Sequence, residues 1–92
     1  LENFIDGHFI GPLSGEFIDN VNPATGEIVG QIPNSHKKDI ELAVSAAQKA
    51  FATWSVTSAE SRFLILNKIA ALIDENIEAL ALAETNDNGK PL

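Results

Sequence analysis

Apolar residues in the first third of the chain fall in short runs between polar and glycine-rich breaks, whereas in the rest they recur every three or four positions. Short alternating runs set side chains on one face of a strand, and the three–four spacing draws a stripe along a helix. Phe4-Ile5 and Phe9-Ile10 flank Asp6-Gly7, a pair suited to the positive φ values of a type I′ hairpin turn. Strands are therefore predicted over 3–5 and 8–10. Gly11-Pro12-Leu13-Ser14-Gly15 reads as a loop. Further strands are predicted over 17–21 and 27–32, the last with Ile28, Gly30 and Ile32 on one face and Pro33 as its stop. Between them lies Asn22-Pro23-Ala24-Thr25-Gly26-Glu27, a turn. Pro23 fixes φ and biases Asn22 towards extended backbone, and Gly26 sits where a reversal needs positive φ.

From residue 36 the period becomes helical. Ile40, Ala43, Val44, Ala47, Ala50, Phe51 and Trp54 share one face of a helix predicted over 36–54, with Ser35 as N-cap and Trp54 as a packing anchor. His36, Lys37 and Lys38 set positive charge at the positive end of the helix dipole, and Asp39 is the only favourable charge there, so this start is expected to lean on packing. The row Ala43, Ala46, Ala47, Ala50 leaves room for a neighbour to come close. Thr57-Ser58-Ala59-Glu60 reads as a capping box, with the Thr57 hydroxyl on the amide of residue 60. It opens a helix predicted over 58–75, where Leu64, Ile65 and Leu72 widen the stripe of Phe63, Leu66, Ile69, Ala70 and Ile73. A third helix is predicted over 77–88, with Gly89 as its stop. The fold class is α+β, hairpins first and three helices after.

Composition narrows the function. A chain of 92 residues, 45% apolar and 21% charged, makes one small globular domain, but its helices carry more apolar surface than so short a chain can cover. An oligomer or a larger parent is expected, and the start at Leu1 without Met favours a segment of a longer protein. The net charge of −7 excludes a binder of nucleic-acid backbones. No apolar run approaches a membrane span. The absence of cysteine excludes disulfides and thiol chemistry within these residues and fits a cytoplasmic protein. No phosphate-cradling glycine loop or nucleophile elbow occurs. His8 and His36 lack carboxylates at ligand spacing and read as structural or surface residues. Asp74, Glu75, Glu78 and Glu84 read as solvated helix positions, not as ligands of a divalent ion. Asp87 differs, because a carboxylate at a helix C-terminus opposes the dipole. It either caps locally with Asn86 and Asn88 or serves a cation as an oxygen ligand. Taken alone, the residues describe an α+β unit with no catalytic constellation, and one reading is a small acidic stand-alone protein-interaction module.

Six strings in order add a family. Phe4-Ile5-Asp6-Gly7-His8-Phe9, Val21-Asn22-Pro23-Ala24-Thr25-Gly26-Glu27, Ala46-Ala47-Gln48-Lys49-Ala50-Phe51 with Trp54, Glu60-Ser61-Arg62, the Leu66–Ile73 helix and Glu84-Thr85-Asn86-Asp87-Asn88-Gly89-Lys90-Pro91 resemble the N-terminal portion of the aldehyde dehydrogenase superfamily. The opening Leu1–Gly7 is most similar to members acting on muconic semialdehydes. The resemblance implies a larger homo-oligomeric enzyme that oxidises an aldehyde, or a semialdehyde, to a carboxylic acid with NAD or NADP. In it a cysteine forms a thiohemiacetal, hydride passes to the nicotinamide, and a glutamate helps water release the thioester. None of those groups lies in residues 1–92, which it implies pack on the cofactor-binding domain as an inactive structural segment. It also implies a Na⁺ or K⁺ site. By the family's pattern the main-chain carbonyls of Asn20 and Val21 and the carboxylate of Asp87 bind the ion, with Asn20 standing where Thr or Ser is frequent.

Overall fold

A computed structural model describes residues 1–92 as four strands followed by three helices: β1 (Asn3–Ile5), β2 (His8–Ile10), β3 (Phe17–Val21), β4 (Ile28–Pro33), α1 (Lys37–Trp54), α2 (Ala59–Glu75) and α3 (Ile77–Asn88). The strands make two separate antiparallel hairpins, β1–β2 and β3–β4. In the first, Ile5 opposes His8, and Asp6 and Gly7 adopt φ of 52° and 79°, as a type I′ turn requires. Phe4 and Phe9, opposite one another, meet edge to face at 5.1 Å.

In the second hairpin the Asn-Pro turn is closed by five bonds, three of them at 2.9 Å or shorter. The Gly26 N–H donates to the Asn22 carbonyl (2.8 Å), the Asn22 N–H to the Glu27 carbonyl (2.9 Å), and the Ala24 N–H to the Asn22 side-chain oxygen (2.9 Å). Glu27 is therefore part of the turn, and β4 starts one residue later than predicted. It also includes Pro33, which opposes Phe17 as the last rung. The ladder slips between Asn20 and Val21: Asn20 opposes Gly30 and Val21 opposes Ile28, so Val29 is the extra residue of a β-bulge.

The start of α1 corrects two expectations. Its N-cap is His36, not Ser35. The Ser35 hydroxyl is engaged by Asn3, accepting from Nδ2 (2.8 Å) and donating to Oδ1 (3.2 Å), which ties the first hairpin to the helix entry. The basic first turn is also not held by packing alone. Asp39 accepts the His36 N–H on Oδ2 and the Leu13 N–H on Oδ1, each at 2.9 Å. With 2% of its surface exposed, Asp39 is one of two buried residues, the other being Pro12 in the loop it clamps. The amide of His36 first, and that of Leu13 second, hold this carboxyl below its ordinary pKa against the opposing effect of burial.

At the α1–α2 corner the predicted capping box shifts by one residue. The Thr57 hydroxyl donates back to the Thr53 carbonyl (3.2 Å), so Ser58 becomes the N-cap and accepts the Ser61 N–H (3.1 Å). Arg62 reaches back across the corner. Its Nη2 donates to the carbonyls of Trp54 (3.0 Å) and Ser55 (3.2 Å), and its guanidinium lies 5.4 Å from the centre of the Trp54 ring. The last turn of α1 contains no basic residue, and Arg62 supplies the missing positive charge from the next helix. Trp54 is thus a stacking partner for a cation and not only a packing anchor.

The alanine row of α1 does let another element approach: Ala43, Ala46, Ala47 and Ala50 lie along the Phe4–Gly7 hairpin. Yet no apolar side chain other than Pro12 is buried. The body measures 47 × 35 × 16 Å, with a radius of gyration of 16.9 Å. A compact chain of this length has a radius of about 12 Å. Its accessible surface is 7348 Å². Size scaling gives about 5,200 Å² for a compact protein of this mass, so roughly 2,000 Å² is surplus. Ile40, Val44 and Phe51 on α1, and Phe63, Leu66 and Ile69 on α2, are among the side chains that carry it.

The Asp39 clamp predicts an acid-sensitive step. Because the fold depresses this carboxyl's pKa, its contribution is complete above the unfolded value of about 4 and is lost as pH falls through the lower folded value. Thermal unfolding followed from pH 7 down to pH 2 should therefore show a loss in the wild type that Asp39→Asn lacks, with Asp39→Ala less stable than the wild type at neutral pH.

Candidate functional site

The polar groups that converge from distant parts of the chain do so where β3 ends and α3 ends. The last turn of α3 is built from Thr85, Asn86, Asp87 and Asn88, and the helix stops because Gly89 turns left-handed (φ 76°) with its N–H on the Thr85 carbonyl at 2.9 Å. Gly89 is needed for a second reason. A Cβ there would stand 3.1 Å from Pro23 Cγ, so the missing side chain lets the helix end rest on the Asn-Pro turn. That contact brings α3 alongside the hairpin and opens a cleft lined by Asn20, Gly30, Gln31, Leu80, Glu84 and Asp87, among others.

Two of the three sequence-predicted site residues are brought together there. Asn20 Nδ2 donates to Asp87 Oδ1 at 3.0 Å, while the second Asp87 oxygen bonds no group of the chain. Val21 follows Asn20 across the register slip and does not line the cleft. Asp87 therefore does not cap locally with its neighbours. Asn88 turns elsewhere, donating to Glu84 and accepting the Lys90 N–H at 2.9 Å, and Lys90 Nζ lies 3.6 Å from Glu84. Glu84 and Asp87 line the helical side of the cleft and the Leu1 ammonium, which donates to the Gln31 carbonyl at 3.0 Å, lines its other side; the last turn of α3 holds no basic residue.

Chemically, the side-chain groups here are two carboxylates, Glu84 and Asp87, and the amides of Asn20, Gln31 and Asn86. Nowhere do three His, Cys, Asp or Glu side chains converge as a metal site. No nucleophile, acid–base pair or phosphate cradle is present.

The other polar cluster lies at the α1 entry. His36 Nε2 is 3.0 Å from Glu16 Oε2, both half-exposed, so His36 does have a carboxylate partner, one that sequence spacing did not show because it lies 20 residues away. The shallow groove beside it, along Lys37, Glu41 and Gln48, holds only the Lys37–Glu41 pair (3.7 Å), an ordinary surface bridge. His8 is exposed on β2. The Arg62–Trp54 tie and the Asn20 amide had no sequence signal beyond the lack of a basic residue at the end of α1.

The sequence profile of the aldehyde dehydrogenase family matches residues 9–92. Aldehyde dehydrogenase B of Escherichia coli (strain K12) is 45% identical over 91 residues, and 2-aminomuconic semialdehyde dehydrogenase of Homo sapiens is 48% identical over 92. These alignments cover 99% and 100% of this chain but 18% of each relative, so the chain spans under a fifth of the curated proteins it matches. Among solved structures, PnpE in complex with nicotinamide adenine dinucleotide superposes with a TM-score of 0.94 at 38% identity, over 98% of this chain and 18% of that one. Betaine aldehyde dehydrogenase from Staphylococcus aureus in complex with NAD⁺ gives 0.92 at 36%, over 97% and 18%.

Gly89→Ala should loosen the site without touching its polar groups. The added methyl meets Pro23 and demands a left-handed conformation costing about 1 kcal/mol or more for alanine. A lower Tm and faster amide exchange confined to the end of α3 and the Asn22–Glu27 turn are the expected outcomes.

Proposed function

This chain belongs to the aldehyde dehydrogenase family, and from that premise we propose that the whole protein is an NAD(P)-dependent oxidoreductase converting an aldehyde to a carboxylic acid through a cysteine thiohemiacetal. The observation that carries this is the collinear match of essentially the entire chain to curated aldehyde dehydrogenases at 45–48% identity. NAD bound to PnpE and to betaine aldehyde dehydrogenase supports NAD(P) as the cofactor. When bound, it supplies the hydride acceptor. The likeness to 2-aminomuconic semialdehyde dehydrogenase supports a semialdehyde among the substrates. We place the protein in the cytoplasm, and as a homo-oligomer in line with the surplus apolar surface of residues 1–92.

Residues 1–92 have a structural part in this scheme. With no cysteine and no cofactor loop they do not perform the reaction themselves. They pack on the cofactor-binding domain, and the roughly 2,000 Å² of surplus surface is the size of a permanent interface. A stand-alone interaction module is disfavoured by the same fact, since a chain whose one buried apolar residue is Pro12 has little to hold it together.

The polar junction has a second role in this reading. The carbonyls of Asn20 and Val21 and the carboxylate of Asp87 would hold a monovalent cation, Na⁺ or K⁺. The free Asp87 oxygen and the lack of a basic residue in the last turn of α3 support it. A cation there would offset the charge of Asp87 and stiffen the joint between the strands and the last helix. It would touch no reacting atom.

The enzymatic reading is tested by following NADH or NADPH formation with aldehydes and semialdehydes. The whole protein should turn over and the 92-residue chain should not; turnover by the chain alone would sink the structural role, and none by the whole protein would sink the oxidation. Separately, Ile69→Asp in the whole protein should sharply reduce soluble yield, because it buries a charge under the proposed interface.

A further inference from the structure

Asn88 is the one asparagine of the chain followed by glycine. That pair carries a chemistry of its own. The main-chain nitrogen of the following residue can attack the asparagine Cγ, and glycine has no side chain to block the approach. Here both reactants are tied up. The Gly89 N–H, whose nitrogen is the nucleophile, donates to the Thr85 carbonyl at 2.9 Å. The Asn88 carboxamide is held at both ends: Nδ2 donates to Glu84 Oε1 at 2.6 Å, and Oδ1 accepts the Lys90 N–H at 2.9 Å. Asn88 is exposed and is the last residue of α3, so water reaches it and these bonds lie in a terminal turn that can fray.

We propose that Asn88 is a deamidation site gated by the end of α3, silent while the last turn is closed and reactive each time it opens. In the open turn the Gly89 nitrogen gives up its proton and bonds to Cγ. The Cγ–Nδ2 bond breaks, and ammonia leaves with that proton. The cyclic imide left behind takes up water. Addition at Cγ gives an aspartate at this position, and addition at the Asn88 main-chain carbonyl gives isoaspartate. Either product works against the joint. A carboxylate replaces the donor on Glu84, next to Asp87 and at the helix end where the dipole disfavours negative charge. The positive groups nearby are already engaged: Lys90 lies 3.6 Å from Glu84, and the Leu1 ammonium donates to the Gln31 carbonyl across the cleft. Isoaspartate also adds a methylene to the main chain, which shifts Gly89 from the Thr85 carbonyl and from its seat on Pro23. The modified turn stays open. Neither the oxidation nor the cation reading is needed for this chemistry.

The test follows Asn88 in the whole protein at mildly alkaline pH, in native buffer and in urea that unfolds it. Peptide mass spectrometry locates the conversion of amide to acid, and enzymatic methylation reads isoaspartate in the same peptide. In urea Asn88 should deamidate fastest of the chain's asparagines, and in native buffer it should be slower by roughly tenfold or more. Hydrogen exchange of the Gly89 amide gives an independent measure, because the same opening frees that N–H. Its protection factor should match the native slowing of deamidation within about threefold. Asn88→Asp, which carries the direct product, should exchange several-fold faster than the wild type over residues 84–92 and the Asn22–Glu27 turn. Equal deamidation rates in native buffer and in urea overturn the gate, as does a Gly89 protection factor that departs tenfold from the slowing. No reaction at Asn88 in urea overturns the site itself. Wild-type exchange in Asn88→Asp overturns the loosening.

Discussion

A slab 16 Å through its shortest dimension has room for little more than one layer of helix and strand, and the outer face of each meets solvent. In such a body there is little room to surround an apolar side chain, and only Pro12 is buried. Its joints are accordingly held by polar ties between residues far apart in sequence. Asp39 binds the Pro12-Leu13 loop to the start of α1, Arg62 binds the end of α1 to α2, and Asn20 binds the end of β3 to α3. Each tie satisfies charge at a helix terminus: amide donors for a carboxylate at the start of α1, a guanidinium for the carbonyls at its end, and an amide for the carboxylate at the end of α3. The geometry of the chain is that of three helix ends, each tied by hydrogen bonds to another segment.

The same thinness explains what the apolar residues do. Burial of apolar surface is the main favourable term in folding, at about 25 cal/mol per Å². Here most of that term has yet to be collected. The stripes of α1 and α2 are shaped for neighbours that residues 1–92 do not contain, which accords with a chain spanning under a fifth of its relatives. In this family reading the segment contributes a docked scaffold, and its polar joints fix the angles at which the apolar faces are presented.

Much of this was legible from sequence. Strand and helix positions follow from local rules: the period of apolar residues, Asp6-Gly7 at a hairpin, and Gly26 and Gly89 where φ must be positive. The errors were of one residue, and each arose where a side chain or main-chain group had two suitors. Ser35 was free to cap α1 but is taken by Asn3; Thr57 was free to cap α2 but bonds back to Thr53; Glu27 closes the turn before it enters β4. At the site, Asp87 stood out because a carboxylate at a helix C-terminus is unfavourable by itself, and family resemblance supplied Asn20 and Val21. The Asn20 side chain escaped notice because its partner lies 67 residues away.

The sequence by itself therefore determined the elements, their order and the family, because turn chemistry, helical period and collinear motifs act over a few residues or over the whole string of letters. Only the tertiary structure decided which donor meets which acceptor. Choices such as His36 over Ser35, Ser58 over Thr57, and Asn20 as the partner of Asp87 depend on distances between segments that are far apart along the chain. The Asn-Pro turn shows both sides: its reversal is written in Pro23 and Gly26, but its role as the seat of α3 exists only because Gly89 leaves room for Pro23.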